Sequence, residues 1–385
     1  MTRYELVLLG EWEPAVRTRL LATIAEMVTA QGLGMDDDVV VRDATHVGER
    51  DPKAASVLAY FAGGANPDAG IAADLLRRGV PTVPVVSAGG SFDRDLPDAL
   101  KAPNGLRLRR SDPGMVELAT ALLECLGLLR EQRRVFISYR RTESRNAAVQ
   151  LHDLLNERGF DVFLDTHDIR PGEPFQEVLW HRLTDCDVVV MLDTPTYFER
   201  KWTREEFGRA LAKKIHILRL VWPEHAPTRH LDAGEMVRLS RRDMQDDETL
   251  IDAVANDIVL KVETLRSLSI AARHASLADK LRVEVEGIGG TVDGIGAHRA
   301  IAVTLPGGRR VWAYPVVGVP TASLLNDIAD RAERADHGEM PFLVYDHVGI
   351  SKPWMDHLGW LDSNISAVRS LQVFEAGWRL VEWGS

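Results

Sequence analysis

The sequence predicts doubly wound parallel α/β structure from its start to about residue 265, followed by a smaller α+β domain. Three observations lead there. Short continuous apolar runs alternate with stretches of helical period, the pattern of strands covered by helices on both faces. The charged connector LLREQRR at 128–134 and a helix-like linker around 266–286 divide the chain into three blocks. The last block changes character, with a hairpin, a helix and a Trp-rich end.

The first block, residues 1–128, runs ELVLLG, AVRTRLLATIAEMVTAQGLG, VVVRDA, ASVLAYFAG, AGIAADLLRRG, TVPVVSAGG and GMVELATALLECLGLL. Strand-like and helix-like stretches take turns, so this is a Rossmann-like α/β domain. The pair Gly63-Gly64 after the third apolar run reads as a turn.

The second block, residues 132–265, opens with the strand VFISY and the helix SRNAAVQLHDLLNERG, which Gly159 ends as a C′ residue. The strand FDVFLD, loop THDIRPGEP, helix FQEVLWHRLTDC and strand DVVVMLD follow. Then come the loop TPTYFERKW, the helix TREEFGRALAKK and the strand IHILRLVW, ending at Trp222. A tail helix over DDETLIDAVANDIVLKVETL is expected to close the block near residue 265.

In the third block, residues 275–385, AIAVTLPGGRRVWAYPVVG predicts a hairpin turning at Pro306, Gly307 and Gly308. Thr321 is placed to cap the helix that follows, and FLVYDHV reads as a strand. Trp354, Trp360, Trp378 and Trp383 either form a ligand- or partner-binding face or fill the core of this domain, the second being the commoner role. The stretch GIGGTVDGIG at 287–296 has Val292 where a dinucleotide fingerprint needs glycine, so it reads as turns.

Bulk properties narrow the function. With 45% hydrophobic and 27% charged residues, the chain has the composition of a folded protein. A net charge of −11 argues against direct binding to nucleic acids or anionic membranes, both of which rely on clustered Lys and Arg. No signal peptide or membrane-spanning run is visible, and Cys125 and Cys186 form no CxxC pair. Buried thiols in a cytoplasmic protein are the expectation. The 12 His residues show no metal-ligand spacing and there is no G-x-S-x-G elbow, so neither a metal site nor a serine nucleophile is expected.

The ordered set VFISYRRTES, FDVFLDTHDIRPGEPF, DVVVMLDTPTYF and KWTREEF resembles the Toll/interleukin-1 receptor (TIR) domain, of the NAD-cleaving type found in bacterial anti-phage proteins. VFISYRR resembles the family's first box and DTHDIRPGEPF its BB loop. Trp202 and Glu206 match its W-x-x-x-E arrangement, and Thr203 departs from the Cys of many bacterial members. The resemblance implies a flavodoxin-like sheet, NAD+ as substrate with no separate cofactor, and Glu206 as the catalytic residue. It also implies self-association through the loop 166–174 as the on-switch, an unidentified trigger or partner protein, and a role in defence against phage.

The residues themselves give Glu206 two readings. Four positions after Trp202, it lies a turn away on the same helical face, an aromatic plane beside a carboxylate. Nicotinamide leaves NAD+ without needing a strong acid, so the barrier lies in the cationic sugar, which a carboxylate stabilises. At about 4 Å and an effective dielectric of about 20 that pairing is worth about 4 kcal/mol, roughly a thousandfold in rate. Thr203-Arg204-Glu205-Glu206 equally fits a capping box, in which Glu206 only ties down a helix start, as in a non-catalytic TIR scaffold. A glycosyl-transfer enzyme acting on nucleosides is a third reading.

Arg140 and Arg141 follow the first strand of this block, at the edge where doubly wound sheets bind ligands; their guanidinium groups suit a pyrophosphate, and solvated loop charges are the other reading. By resemblance Ser138 and Tyr139 line the same edge, and Trp202 lies beside the ribose. Phe175 either packs beneath nicotinamide or faces the core, the second being the commoner role for such a residue. The first block is similar in order to the later half of a TIR domain but lacks the FISY box and the carboxylate, which suggests a degenerate copy used for sensing or assembly.

Overall fold

The computed structural model describes residues 3–109, 115–129, 133–164, 181–197, 214–226, 234–335 and 341–384. Each block of the sequence carries a five-stranded sheet. The chain divides into two compact units, one of residues 1–129, 274–347 and 352–385, the other of 130–273 and 348–351. The first and third blocks therefore belong to one unit.

In that unit, β1 (Tyr4–Gly10), β2 (Val39–Arg42), β3 (Ala55–Phe61), β4 (Thr82–Val86) and β5 (Leu106–Arg107) are all parallel, in the order β2-β1-β3-β4-β5. The strand β3 is buried along its whole length, which explains its unbroken apolar run. The helix Pro14–Thr29 begins with proline at its first turn, where the missing N–H costs nothing. The helix Val116–Leu126 ends at Gly127, whose φ of 71° is the left-handed cap glycine adopts freely. The two-residue β5 was not legible in the sequence.

The second sheet of this unit is mixed: β11 (Thr291–Ile295), β12 (Ile301–Thr304) and β13 (Arg310–Val316) are antiparallel, and β14 (Pro341–Tyr345) and β15 (Arg369–Gln372) continue it in parallel. The hairpin turns at 306–308 as expected, with Leu305 N–H donating to the Arg309 carbonyl at 2.8 Å. Thr321 caps the helix Ala322–Arg334, its Oγ accepting from Leu324 N–H at 3.3 Å. Two expectations need correction. Residues 291–295 are not turns but the edge strand β11, bulged between Val292 and Gly294, a position where an edge strand tolerates glycine. The late tryptophans do not simply fill the core: Trp360 is 61% and Trp378 48% exposed, while Trp354 is half-buried and donates to the Pro320 carbonyl at 2.9 Å. The side chain of Trp383 lies outside the described residues.

A buried ionic cluster joins the two sheets of this unit. Glu124, on the helix Val116–Leu126, meets His298 Nδ1 at 2.6 Å through one oxygen and Arg331 at 2.6 Å through the other. Next to it, Arg299 donates to the Cys125 carbonyl. His298 and Arg299 both hold φ near 56°, a strained value for side chains of this size, and one that tertiary packing must enforce. Burial opposes ionisation of Glu124, yet the His298 hydrogen bond and the charges of Arg331, His298 and Arg299 outweigh it and hold the carboxyl below its ordinary range.

In the other unit, β6 (Arg134–Ser138), β7 (Asp161–Leu164), β8 (Val188–Asp193), β9 (His216–Val221) and β10 (Glu235–Arg238) are parallel, ordered β10-β9-β8-β6-β7. Counted in order of appearance this is 2-1-3-4-5, as in the N-terminal sheet. The helix Arg141–Glu157 covers it with Ala147, Ala148, Leu151 and Leu155, and Gly159 follows with φ of 76°. The expected tail helix and linker are one helix, Asp252–Gly287. No glycine or proline interrupts residues 252–286, so nothing ends the helix near 265. Its inner face carries Glu263 and Arg266, both buried: Glu263 pairs with Arg133 at 2.8 Å, and Arg266 with Asp187 at 3.5 Å. The Arg133 guanidinium also stacks 4.3 Å from the Phe160 ring, which ties the helix to the amino-terminal edge of the sheet.

Candidate functional site

The strand order puts a topological switch point between β6 and β8, the place where a doubly wound sheet opens a crevice at the carboxyl ends of its strands. Ser138 ends β6 and pairs in register with Met191 of β8, so Arg140 comes level with the end of β8 at Asp193. Ser138 is 1% exposed, and its Oγ accepts a 2.6 Å hydrogen bond from the Tyr197 hydroxyl, which locks the two strand ends together. Tyr139 alternates to the other face and belongs to the hydrophobic core with Val135 and Ile137. Arg140 caps the helix Arg141–Glu157, its carbonyl accepting from Glu143 and Ser144 N–H at 3.0 Å each. Its guanidinium is half-buried and donates to the Thr196 carbonyl, across the crevice from its own strand. Arg141 is exposed on the first turn of that helix.

Residues that the sequence reading did not single out complete this edge. Glu143 accepts from Thr196 N–H at 3.3 Å. Burial opposes its ionisation, but hydrogen bonds from Thr194 and Thr196 and the nearby Arg140 hold its carboxyl below the ordinary range. Asp193 is wholly buried, and Arg219 grips its Oδ2 with Nε at 2.7 Å and a terminal nitrogen at 2.6 Å. His225 Nε2 stands 3.4 Å from the other oxygen, Oδ1. The available signal was a charge inside an apolar strand: Arg219 interrupts IHILRLVW, and a buried arginine needs a carboxylate partner. A single His in the turn WPEHAP has no pattern to give it away.

Glu206, Trp202 and Phe175, the loop 166–174 and the Thr203 cap lie outside the described residues. Among the described residues, no group of three or more His, Cys, Asp or Glu is placed to hold a metal ion, and no helix is long and apolar enough to cross a membrane. Cys125 and Cys186 are buried free thiols, and burial pushes Cys125 up to about 11.

A family model described as TIR domain matches residues 135–254, the span that contains this sheet and its edge. The chain contains a TIR domain. The chain is also 28% identical, over 85 residues, to a probable 2′ cyclic ADP-D-ribose synthase of Brachypodium distachyon. That stretch is 22% of this chain and 38% of the relative, so most of the relative has no counterpart in the match. Two solved structures align broadly beyond the TIR domain. A putative two-component response regulator with a GGDEF domain covers 68% of this chain and 98% of its own at 16% identity and a TM-score of 0.25. Tagatose-6-phosphate ketose/aldose isomerase from Escherichia coli covers 69% and 81% at 12% identity and a TM-score of 0.21. Likeness at those scores supports no conclusion about fold or function.

Proposed function

We propose that this protein is a TIR enzyme that cleaves NAD+, releasing nicotinamide and leaving ADP-ribose in linear or cyclic form, with Glu206 as the catalytic carboxylate. The observation that carries the reading is the match of residues 135–254 to the TIR domain, with the switch-point edge of Ser138 and Arg140 inside it. The named activity of the Brachypodium relative points the same way, at low identity and over a limited span. In this reading Arg140, with Arg141 beside it, holds the pyrophosphate, and Ser138 and Tyr139 shape the edge around it. Trp202 flanks the ribose and Phe175 lies near the nicotinamide. Glu206 faces the positive charge that develops on the ribose as the glycosidic bond breaks.

The on-switch in this proposal is self-association through the loop 166–174, and the biological role is phage defence in the cytoplasm, by depletion of NAD+ or by a nucleotide signal. The remaining parts of the chain would sense the trigger or a partner protein, or drive assembly.

The test compares NAD+ consumption by the full-length protein and by Glu206→Gln, with a crowding agent to favour assembly. Gln retains most of a capping box but has no charge to meet an oxocarbenium ion. The expected outcome is a loss of about a thousandfold in the variant with an unchanged melting temperature. Equal consumption by both makes Glu206 a helix cap, and no consumption by the assembled native chain leaves a TIR scaffold.

A further inference from the structure

We propose that His225, oriented by Asp193, takes up the proton when a hydroxyl captures the ribosyl carbon that nicotinamide has left. This rests on the NAD-cleaving reading and adds a second half-reaction to it. Departure of nicotinamide needs no acid, but the capture step must shed a proton, and a base positioned for it raises the rate.

Four features single out His225. It lies just past β9, on the same carboxyl edge as Arg140 and next to the end of β8, where Asp193 pairs in register with Val221. The backbone is bent to bring it there: His225 N–H donates to the Trp222 carbonyl at 3.3 Å, and Glu224 adopts φ of 62°, unfavourable for a residue with a Cβ. Asp193 offers it a partner, since Arg219 occupies Oδ2 and leaves Oδ1 with no hydrogen bond. The 3.4 Å separation from Nε2 is longer than a formed hydrogen bond, as is common in unliganded catalytic pairs that tighten with substrate. Finally, with Nε2 towards the carboxylate, Nδ1 is the nitrogen left for the substrate side. The side chain is 15% exposed.

The balance of the step is simple. The bond between the ribose carbon and nicotinamide breaks, and its electron pair stays on the nicotinamide nitrogen. Oxygen of water, or of a hydroxyl on the substrate's other ribose, bonds to that carbon. Its proton passes to His225 Nδ1 and then to solvent. Asp193 is a positioning residue that fixes the ring and stabilises the imidazolium, and Arg219 fixes Asp193 in turn. Glu143, the other carboxylate on this edge, is held ionised by its hydrogen bonds and is too weak a base for the task. Among the described residues, Asp193 from β8 pairs with His225, Arg219 from β9 pairs with that same carboxylate, and Glu224 in the turn of His225 pairs with Arg241 at 3.6 Å.

The experiment measures nicotinamide release and the ratio of linear to cyclic product by the full-length protein, with His225→Ala and His225→Gln, across a pH range of roughly 5 to 8.5. Both variants are expected to lose about a hundredfold in kcat with little change in KM, and to lose the acidic limb of the pH profile. Free imidazole is expected to restore part of the rate to His225→Ala, which a purely structural role would not allow. Should the Ala variant fail to fold, the Gln variant decides. Native kcat and pH profile in a folded variant overturn the assignment while the NAD-cleaving reading stands, provided Glu206→Gln remains inactive. No nicotinamide from the assembled native chain removes both.

Discussion

The hydroxyl of Tyr197 reaches across the crevice and donates to the hydroxyl of a serine that solvent does not reach. Tyr197→Phe leaves the Ser138 hydroxyl without that donor in a buried place, and a cost of about 1 kcal/mol is expected in urea unfolding. Glu124 gives a prediction with a sign. Its folded-state carboxyl is held below the ordinary value of 4.5, so the unfolded chain binds the proton more readily. The stabilisation is therefore fully present above about pH 4.5 and is lost as pH falls through the lowered folded value. Glu124→Gln is expected to be less stable than the native chain at neutral pH, and the gap should narrow on acidification, as read from melts over that window. At this scale the sequence was legible where a motif fixed both residue and spacing. Ser138 and Arg140 follow VFISYRR and stand at the predicted edge. Asp193, Arg219 and His225 come from three separate segments that only the fold brings together, and no spacing along the chain records that.

Among the elements, the central strands were readable because burial on both faces leaves them mostly apolar. The strands missed, β5, β10, β11 and β15, are short members at sheet edges. There one side of the ladder lacks a partner, and composition is set by solvent as much as by the core. The helix Asp252–Gly287 runs through the boundary expected near residue 265, because its residues offer no breaker there. Its packing is a separate matter from its propensity, since Glu263 and Arg266 are charged side chains held inside. Glu263→Gln removes a buried charge that Arg133 and Arg266 both address, and a loss of about 3 kcal/mol is expected in chemical denaturation.

For the whole molecule, two compact units with separate hydrophobic cores imply two unfolding events. Calorimetry is expected to resolve two transitions, with Glu263→Gln lowering one and Glu124→Gln the other. A single transition that both substitutions shift equally would mean the units unfold as one.

The shared strand order has a further consequence. The N-terminal sheet has a switch point of its own, at the carboxyl ends of β1 and β3, and there the chain has placed an acid. Glu11 accepts from Ala65 N–H at 2.7 Å, and its carboxylate lies so close to Gly63 that any side chain at that position would overlap it. A backbone N–H at such a strand end is the kind of donor that a phosphate would use in a sheet of this order. Here it is already committed to an anion that is part of the protein, and a second anion would meet both occupied donors and like charge. The two sheets share one strand order and differ at this point in the charge they carry: Arg140 stands at the edge in the TIR domain, and Glu11 in the N-terminal sheet.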